Sequence, residues 1–587
     1  MIPGGIPENH AKLVTFTNEL IEKCRVSVGM RKSYYRLLNA IAETGKYDGT
    51  KALINMMNPS LQRTAAHLYS PVELKFAITF DQPQPPINYA RATEVAKQLT
   101  LTWERNGTAN TFGRGVFESL KYGAAFLKQW TTEDADHHPV YRDKLVMPWN
   151  LGVYREDRPL SEQPVICETT LLTLPEVWQR IWKFPNAEDL LHRIASHSAR
   201  GDAGQEPNSF FHQVLSTSQL NTGVQGMVSP VPGGIVQLNS DPNYALMGPI
   251  IAPDVVELHE LWVQDEDDYT TIQMIVPDIV ITPWHGRIGK DEVVTKKQNL
   301  LAKNSRLQPY RIIQPNETTD WIWGRSELVD VLEPQQLLGA WCDDAKRLIG
   351  AQIDKFIGLI GNNAISDEVY AQARMAGYIN LEQGSQITDL TPKIPPELLP
   401  MIKFLLEQIN LIQGFPPIMQ GQGEPGVRAG SHANTLMKTG SPTLRDRSLL
   451  VEQQCAACAD LTLTLKELKE ERFFWTKANE PIKDIEETKF LLSDLPDDWR
   501  VTVDSHSSSP IFQDENTQLV FSANSRGIVD GEYVIRNTAL PNPEAAIQAF
   551  KQKQQQERQM FDQLLKSDPE AAHKLLTKQL GGGHGHH

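Results

Sequence analysis

The sequence predicts an α+β fold, mainly helical, and three observations lead there. Helical-period tracts dominate both ends of the chain. Short apolar runs with Gly and Pro turns fill residues 209–318. Hydrophobic residues make up 40% and charged residues 22% of 587 residues, a folded composition and not a disordered one. The length exceeds a single core several-fold, so two to four domains or one multi-lobed subunit are expected.

From the N-terminus, residues 11–43 carry Leu13, Phe16, Leu20 and Ile21 on one helical stripe. Leu74–Phe80 is a short strand, ended by Pro83, Pro85 and Pro86. Ala90–Asn106 and Gly115–Tyr122 are helices, and Gly123–Trp130 and Leu145–Tyr154 are strands. Pro175 opens a helical region with Val177, Ile181, Leu190, Leu191 and Ile194 as core candidates, bounded by the polar run 196–208. Val255–Val263 and Thr271–Val276 are strands joined by the acidic run Gln264–Asp268, which suits a hairpin. They read as a small β-rich module inserted between helices.

Helical pattern resumes at Ser326, a good N-cap. A short helix is expected to about Leu332 and a longer one from Pro334 to about Ile353, because proline fits best in a first turn. Strand-like pieces follow at Phe356–Ile360 and Tyr378–Leu381. Pro396–Gln413 is helical, and a Gly/Gln-rich loop runs to Gly430. A long helical tract follows from Ser431 to Arg472, with a distortion at Gly440-Ser441-Pro442. Pro543–Lys566 and Pro569–Gln579 are helical and Gln/Lys-rich.

Charge excludes some functions. Lys and Arg total 57 against 72 Asp and Glu, a net charge of −15. A sequence-reading DNA binder gains affinity by neutralising phosphates with Lys and Arg, which this balance disfavours. Five cysteines in such a length exclude a disulfide scaffold and point to a reducing compartment. The opening Met1-Ile-Pro-Gly-Gly5 lacks the basic and apolar regions of a signal peptide, and no apolar stretch nears the ~20 residues of a membrane span. A cytosolic, soluble protein with no membrane partner is expected. The His-rich end, 581–587, reads as a tail or tag remnant.

Catalytic motifs are scarce. No phosphate loop of the form G-x-x-x-x-G-K-[ST] occurs. Gly421-Gln-Gly-Glu-Pro-Gly426 fits G-x-G-x-x-G, but a helix and prolines precede it where a strand should stand. Cys455-Ala-Ala-Cys458 has no second pair for zinc and lies in a helical pattern, as two buried small residues would. His259-Glu260 lacks the second histidine of a zincin, and no G-x-S-x-G elbow appears. The acidic pairs Asp343-Asp344, Asp267-Asp268 and Asp497-Asp498 read as solvated surface. No enzyme, cofactor or metal is expected.

Three segments in order resemble the portal (head-to-tail connector) protein of tailed bacteriophages. Leu120-Lys-Tyr-Gly-Ala-Ala-Phe-Leu-Lys128 followed by Val146-Met-Pro-Trp-Asn-Leu-Gly-Val153 is similar to a wing-domain signature of that family. Trp323-Gly-Arg-Ser-Glu-Leu-Val-Asp-Val-Leu-Glu-Pro-Gln-Gln336 is similar to the stretch leading into its stem helix. The helix, glycine-rich loop and long helix of Pro396–Leu468 resemble its tunnel helix and tunnel loop. The resemblance implies a wing at 1–175, a first stem helix at 176–200, a clip at 201–318 and a second stem helix at 319–353. It further implies a wing return at 354–395, tunnel helix and loop at 396–470, and crown and tail at 471–587.

What the resemblance implies is a ring of identical subunits, usually a dodecamer, at one capsid vertex of the virion, assembled in the host cytoplasm. Double-stranded DNA would pass through it without sequence specificity. Its partners would be the terminase motor, the major capsid protein, and head-completion and tail adaptors. Gln420, Gln422, Arg428, His432 and Asn434 would face DNA from the tunnel loop. Asp343, Asp344, Lys346 and Arg347 would face the lumen or a neighbouring subunit. Asp265, Glu266, Asp267 and Asp268 would meet a partner at the clip. A capsid-associated adaptor without a DNA channel is the alternative. An acidic lining would repel the polyanion about equally at every step, which reconciles a net negative chain with a DNA partner.

Overall fold

A computed structural model describes residues 5–7, 9–46, 51–72, 74–133, 138–182, 184, 186–196, 255–265, 268–275, 279–282, 301, 307–353, 357–360, 386–389, 393–413, 442–474, 489–503, 520–528, 531–536 and 550. Helices and sheets are mixed, as an α+β chain requires. Helix α1 (His10–Thr44) starts on Asn9, whose side chain accepts from the amides of Ala11 and Lys12, and ends on Gly45. Helix α2 (Met57–Leu68) and strand β1 (Phe76–Phe80) follow. Helix α3 (Pro86–Asn106) uses Pro86 in its first turn, where a missing amide costs nothing. Helix α4 (Thr108–Tyr122) then leads into β2 (Ala125–Glu133), β3 (Pro139–Val146), β4 (Leu151–Val153) and β5 (Val165–Thr173).

Helices α5 (Leu174–Ile181) and α6 (Ala187–Ser196) precede β6 (Val255–Asp265), β7 (Asp268–Ile275), β8 (Ile279–Thr282) and β9 (Tyr310–Ile313). The last part holds α7 (Leu328–Ile353), β10 (Ile357–Ile360), β11 (Gln386–Asp389), α8 (Leu398–Ile412), α9 (Pro442–Leu468), β12 (Phe473–Phe474), β13 (Lys489–Phe490), β14 (Trp499–Val503) and α10 (Gly531–Arg536).

Two antiparallel sheets form the centre, ordered β3-β2-β9 and β4-β5-β6-β7-β8. Alternation along β5, β6 and β7 divides the larger sheet's faces. Val165, Cys167, Leu261, Val263, Ile272 and Met274 pack against Leu13, Leu20, Ile21 and Cys24 of α1. Ile166 and Trp262 point the other way, into a core shared with Phe126 of β2 and Tyr310 of β9. At the sheet's end, Val177, Ile181, Leu190 and Ile194 of α5 and α6 cover Leu258, Ile275 and Ile279.

Helix α9 is enclosed on more than one side. Val451, Cys455, Cys458 and Ala459 join the largest core with α2, α3 and α4, while Leu461 and Leu465 join the core beneath β2. The two cysteines are thus buried free thiols on a core helix. Burial raises both, Cys458 to about 12.

Four expectations are corrected. The strand at Leu145–Tyr154 is two strands in different sheets. The chain turns at Pro148, where the Asn150 amide donates to the Met147 carbonyl at 2.9 Å. The single helix at 176–200 is two, α5 and α6, with Phe184-Pro185-Asn186 between them; a proline disfavours helix at the residue before it. The β-rich stretch is no separate insert, because β6 pairs with β5 over Thr173↔Val255 to Val165↔Val263, and β9 pairs with β2. Strands from either side of residue 201 therefore share one sheet. Strand β14 pairs with β1 over Phe76↔Val503 to Phe80↔Trp499.

The fourth correction concerns Pro334, which lies inside α7 and does not start a new helix. Proline removes the amide that would bond the Asp330 carbonyl. Packing overrides that loss: Leu328, Val331, Gln335, Leu338 and Cys342 keep one buried heptad-spaced stripe across the break. Gln335 also clamps the α1–α2 connection, its amide donating to the Ile54 carbonyl at 2.8 Å and its oxygen accepting from the Met56 amide at 3.2 Å. Pro334→Ala restores the missing donor, so a rise in the chemical-denaturation midpoint worth about 1–3 kcal/mol is expected; an unchanged or lower midpoint would show that the proline shapes α7.

Candidate functional site

The two signature segments that lie far apart in sequence meet in space. Gly123, after α4, has φ +103°, and a Cβ there would sit 2.5 Å from the Trp323 carbonyl oxygen. Gly324 has φ +63°, and its Cβ would sit 2.7 Å from the Gly123 oxygen. Only glycines allow the turn into β2 and the lead-in to α7 to touch backbone to backbone. The joint is hydrogen-bonded as well. Ser326 Oγ donates to the Lys121 carbonyl at 2.6 Å and accepts the Leu328 amide at 3.2 Å, capping α7. The Glu327 amide donates to the Leu120 carbonyl at 2.8 Å, and the Glu327 carboxylate holds Arg447 of α9 at 2.9 Å.

Beside the joint stands an aromatic-lined ion pair. Arg31 of α1 donates to Glu156 at 2.8 Å, and its guanidinium lies 4.1 Å from the Trp323 ring centroid and 5.7 Å from that of Trp321. Both indole N–H groups donate to Glu156, at 2.6 Å from Trp323 and 3.3 Å from Trp321. Burial lowers the Arg31 pKa, with Tyr35 and Glu156 opposing that shift. The pair ties α1 to the segment that starts α7.

A second cluster lies between the two central sheets. Lys144, Lys128 and Tyr310 are direct cross-strand neighbours in β3-β2-β9, and Glu168, Glu260 and Gln273 are cross-strand neighbours in β5-β6-β7. One row faces the other. Lys128 Nζ donates to Glu168 and to Glu260, each at 2.6 Å; Lys144 reaches Glu168 at 3.0 Å. Tyr310 donates to Glu168 at 2.8 Å, and Gln273 and the Trp262 indole each donate to Glu260 at 2.9 Å. Burial alone would raise the Glu168 carboxyl, but Lys128 and Lys144 hold it down at about 2. Burial pushes Lys128 down, and the two carboxylates more than reverse it. The carboxylates are fully engaged by donors, as a structural clamp requires.

Those sequence-predicted residues that the structure describes sit elsewhere. Asp343, Asp344, Lys346 and Arg347 all lie exposed on α7. Asp343 pairs with Lys46 beyond the end of α1, and Asp344 accepts from Arg347 at 3.0 Å along the same helix. Asp265 and Asp268 face each other at the end of the β6–β7 hairpin. Glu266, Asp267 and the residues Gln420, Gln422, Arg428, His432 and Asn434 lie outside the described residues, as do Tyr378–Leu381, the tract 431–441, and the C-terminal helices beyond 550. Among the described residues, no group of three or more His, Cys, Asp or Glu stands close enough to hold a metal ion, and no helix is long and apolar enough to cross a membrane.

Sequence reasoning missed both charged clusters. The signal for the second was present: Lys128, Glu168 and Glu260 each interrupt an apolar strand at a position where alternation demands burial. A scan against protein-family models finds no match to the chain, and a search of the curated proteins finds none either.

Three outcomes follow from these contacts. Lys128→Met leaves two buried carboxylates without their shared cation, and a loss of about 3–5 kcal/mol in urea unfolding is expected. The depressed Glu168 carboxyl contributes stability above its unfolded value near 4.5 that is lost as pH falls from there towards about 2, so Glu168→Gln should flatten the acid limb of the stability profile. Gly123→Ala should cost more than ~2 kcal/mol, from strained φ plus a backbone clash, whereas Gly107→Ala, with φ +70° and open space around it, should cost about 1 kcal/mol; equal losses would remove the close approach as the cause.

Proposed function

We propose that this chain is a portal-type subunit: a non-enzymatic protein whose copies form a ring, usually a dodecamer, through which double-stranded DNA passes into and out of a viral capsid. The observation that carries the reading is the joint itself. The helix-to-strand turn at Leu120–Lys128 and the lead-in to α7 at Trp323–Gln336 are the segments that resemble the portal family, and they touch through Gly123 and Gly324. A contact of backbone on backbone gives a physical reason for both glycines to stand where the resemblance has them.

Two further features support the reading. Helix α7 is continuous over 26 residues, about 39 Å at 1.5 Å per residue, a span suited to the wall of a channel. The net charge of −15, multiplied by the copies in a ring, supplies a field that repels phosphates instead of binding them. In this reading the terminase and later the head-completion adaptors dock on the ring, and the ATPase belongs to the motor.

Averaged electron micrographs of the purified oligomer test the proposal. A ring with an axial hole wide enough for duplex DNA is the expected result, and a monomer or a closed particle would overturn it. Deleting residues 414–430 should abolish genome packaging while rings still assemble; unchanged packaging and ejection would remove the role given to that loop.

A further inference from the structure

We infer that the first half of α1 is an acid-releasable strap: protonation of His259 lifts residues 10–25 off the β5-β6-β7 face, while the second half of the helix stays in place. Helix α1 serves two cores. Leu13, Leu20, Ile21 and Cys24 pack on the sheet, whereas Val28, Tyr35, Leu38 and Ile41 belong to the largest core with α2, α3 and α4. The strap and its continuation rest on different partners, so one can open without the other.

His259 sits beneath this strap. It is the cross-strand neighbour of Thr169 in β5 and of Met274 in β7, on the face that carries Cys167, Leu261 and Val263. Only 8% of it is exposed. Its Nδ1 lies 3.1 Å from Thr169 Oγ1. Its Nε2 lies 3.7 Å from Glu257 Oε2, the same oxygen that accepts from Arg25 of α1 at 3.4 Å. Among the described residues, the titratable groups of this seam are Cys24 and Arg25 from α1, Cys167 from β5 and Glu257 from β6; β7 contributes Met274. Burial raises both thiols, so they stay neutral. The one carboxylate is already bonded to a guanidinium, and it stands beyond hydrogen-bond distance of Nε2.

An imidazolium in this seam would be buried beside Arg25. Burial first, and then the Arg25 charge, hold the ring neutral down to about 3. The helix gives no relief from its own side: a Cβ at Gly152 would sit 2.6 Å from the Cys24 carbonyl oxygen, so α1 lies directly on the sheet. Lifting the strap hydrates the ring and parts it from Arg25 at once. A ring held at about 3 when closed and at 6.5 when open takes up its proton only in the open state between those values. Closure therefore weakens as pH falls from 6.5 towards 3. From pH 7 to pH 5 the open population should rise about 25-fold. Glu168 acts lower, below about 4.5. None of this rests on the channel reading.

The cysteines provide the test. Cys24 and Cys167 lie beneath the strap, Cys455 and Cys458 lie on α9, and all four are buried, so thiol labelling reads strap and body separately. The full chain is labelled with dithiodipyridine, which reacts with thiols in mild acid, and each site is mapped by mass spectrometry. Protection is the labelling rate of the urea-unfolded chain divided by that of the native chain at the same pH. At Cys24 and Cys167 protection is expected to fall about 25-fold from pH 7 to pH 5, and at Cys455 and Cys458 to stay level. His259→Gln keeps a hydrogen-bonding partner for Thr169 without a titrating ring, and should hold all four level. Level protection in the wild type, an equal fall at all four cysteines, or the same fall in His259→Gln overturns the inference. Deuterium exchange at the imidazole C2 position needs no variant. Half-titration of His259 well below its free value of 6.5 is expected; half-titration near 6.5 with the strap thiols still protected overturns the inference.

Discussion

Two rows of like charge, Lys144 and Lys128 on one sheet and Glu168 and Glu260 on the other, are each unfavourable within their own sheet. Like charges directly across a strand pair repel. They become tolerable only when the sheets meet face to face, with Lys128 between both carboxylates and Tyr310 and Gln273 filling the remaining acceptors. This requirement fixes more than a distance. A slip of one residue in β2, β5 or β6 would turn a charge towards α1 or an apolar core, so the clamp specifies register in both sheets at once. An apolar replacement of matching shape would hold the sheets together as well or better, but with no penalty for a slipped pairing.

From that fixed pair of sheets the rest is placed. Strand β2 leaves Gly123, and β9 leads through Trp323 and Gly324 to α7, so the clamp and the glycine contact lie at opposite ends of neighbouring strands. Arg31 and Glu156 then bring α1 to the same point, and Glu327 brings α9 through Arg447. The direction of α7 is set by these polar contacts and by the buried stripe from Leu328 to Cys342.

Much of this was legible beforehand. The long helices, the β1 strand and the β6–β7 hairpin follow from apolar periodicity and from the turn residues around them. The cysteines at 455 and 458 were readable as core because i and i+3 share a helix face. The failures have specific causes. Periodicity says which face of a strand is buried but not which sheet it joins, so Leu145–Tyr154 reads as one strand although β3 and β4 lie in different sheets, and β5 carries too little alternation to be read at all. Proline at 334 reads as a helix start because local preference is visible in a sequence, and the tertiary stripe that overrides it is not. The Glu168–Lys128 clamp was hidden for the same reason: three charges in three distant strands acquire meaning only through their pairing. The glycine signatures were visible as motifs, but their mutual contact was not.

The pairing of β1 with β14 joins residues more than four hundred positions apart. During synthesis, everything up to α9 emerges from the ribosome before the strand that will cover the edge of β1 exists. Through that interval Phe76, Ala77 and Ile78 present unpaired backbone to whatever is nearby, including the same segment of a neighbouring nascent chain. This late closure sets the period in which chaperone protection matters most, and it makes an early translational stop more hazardous than the length it removes would suggest.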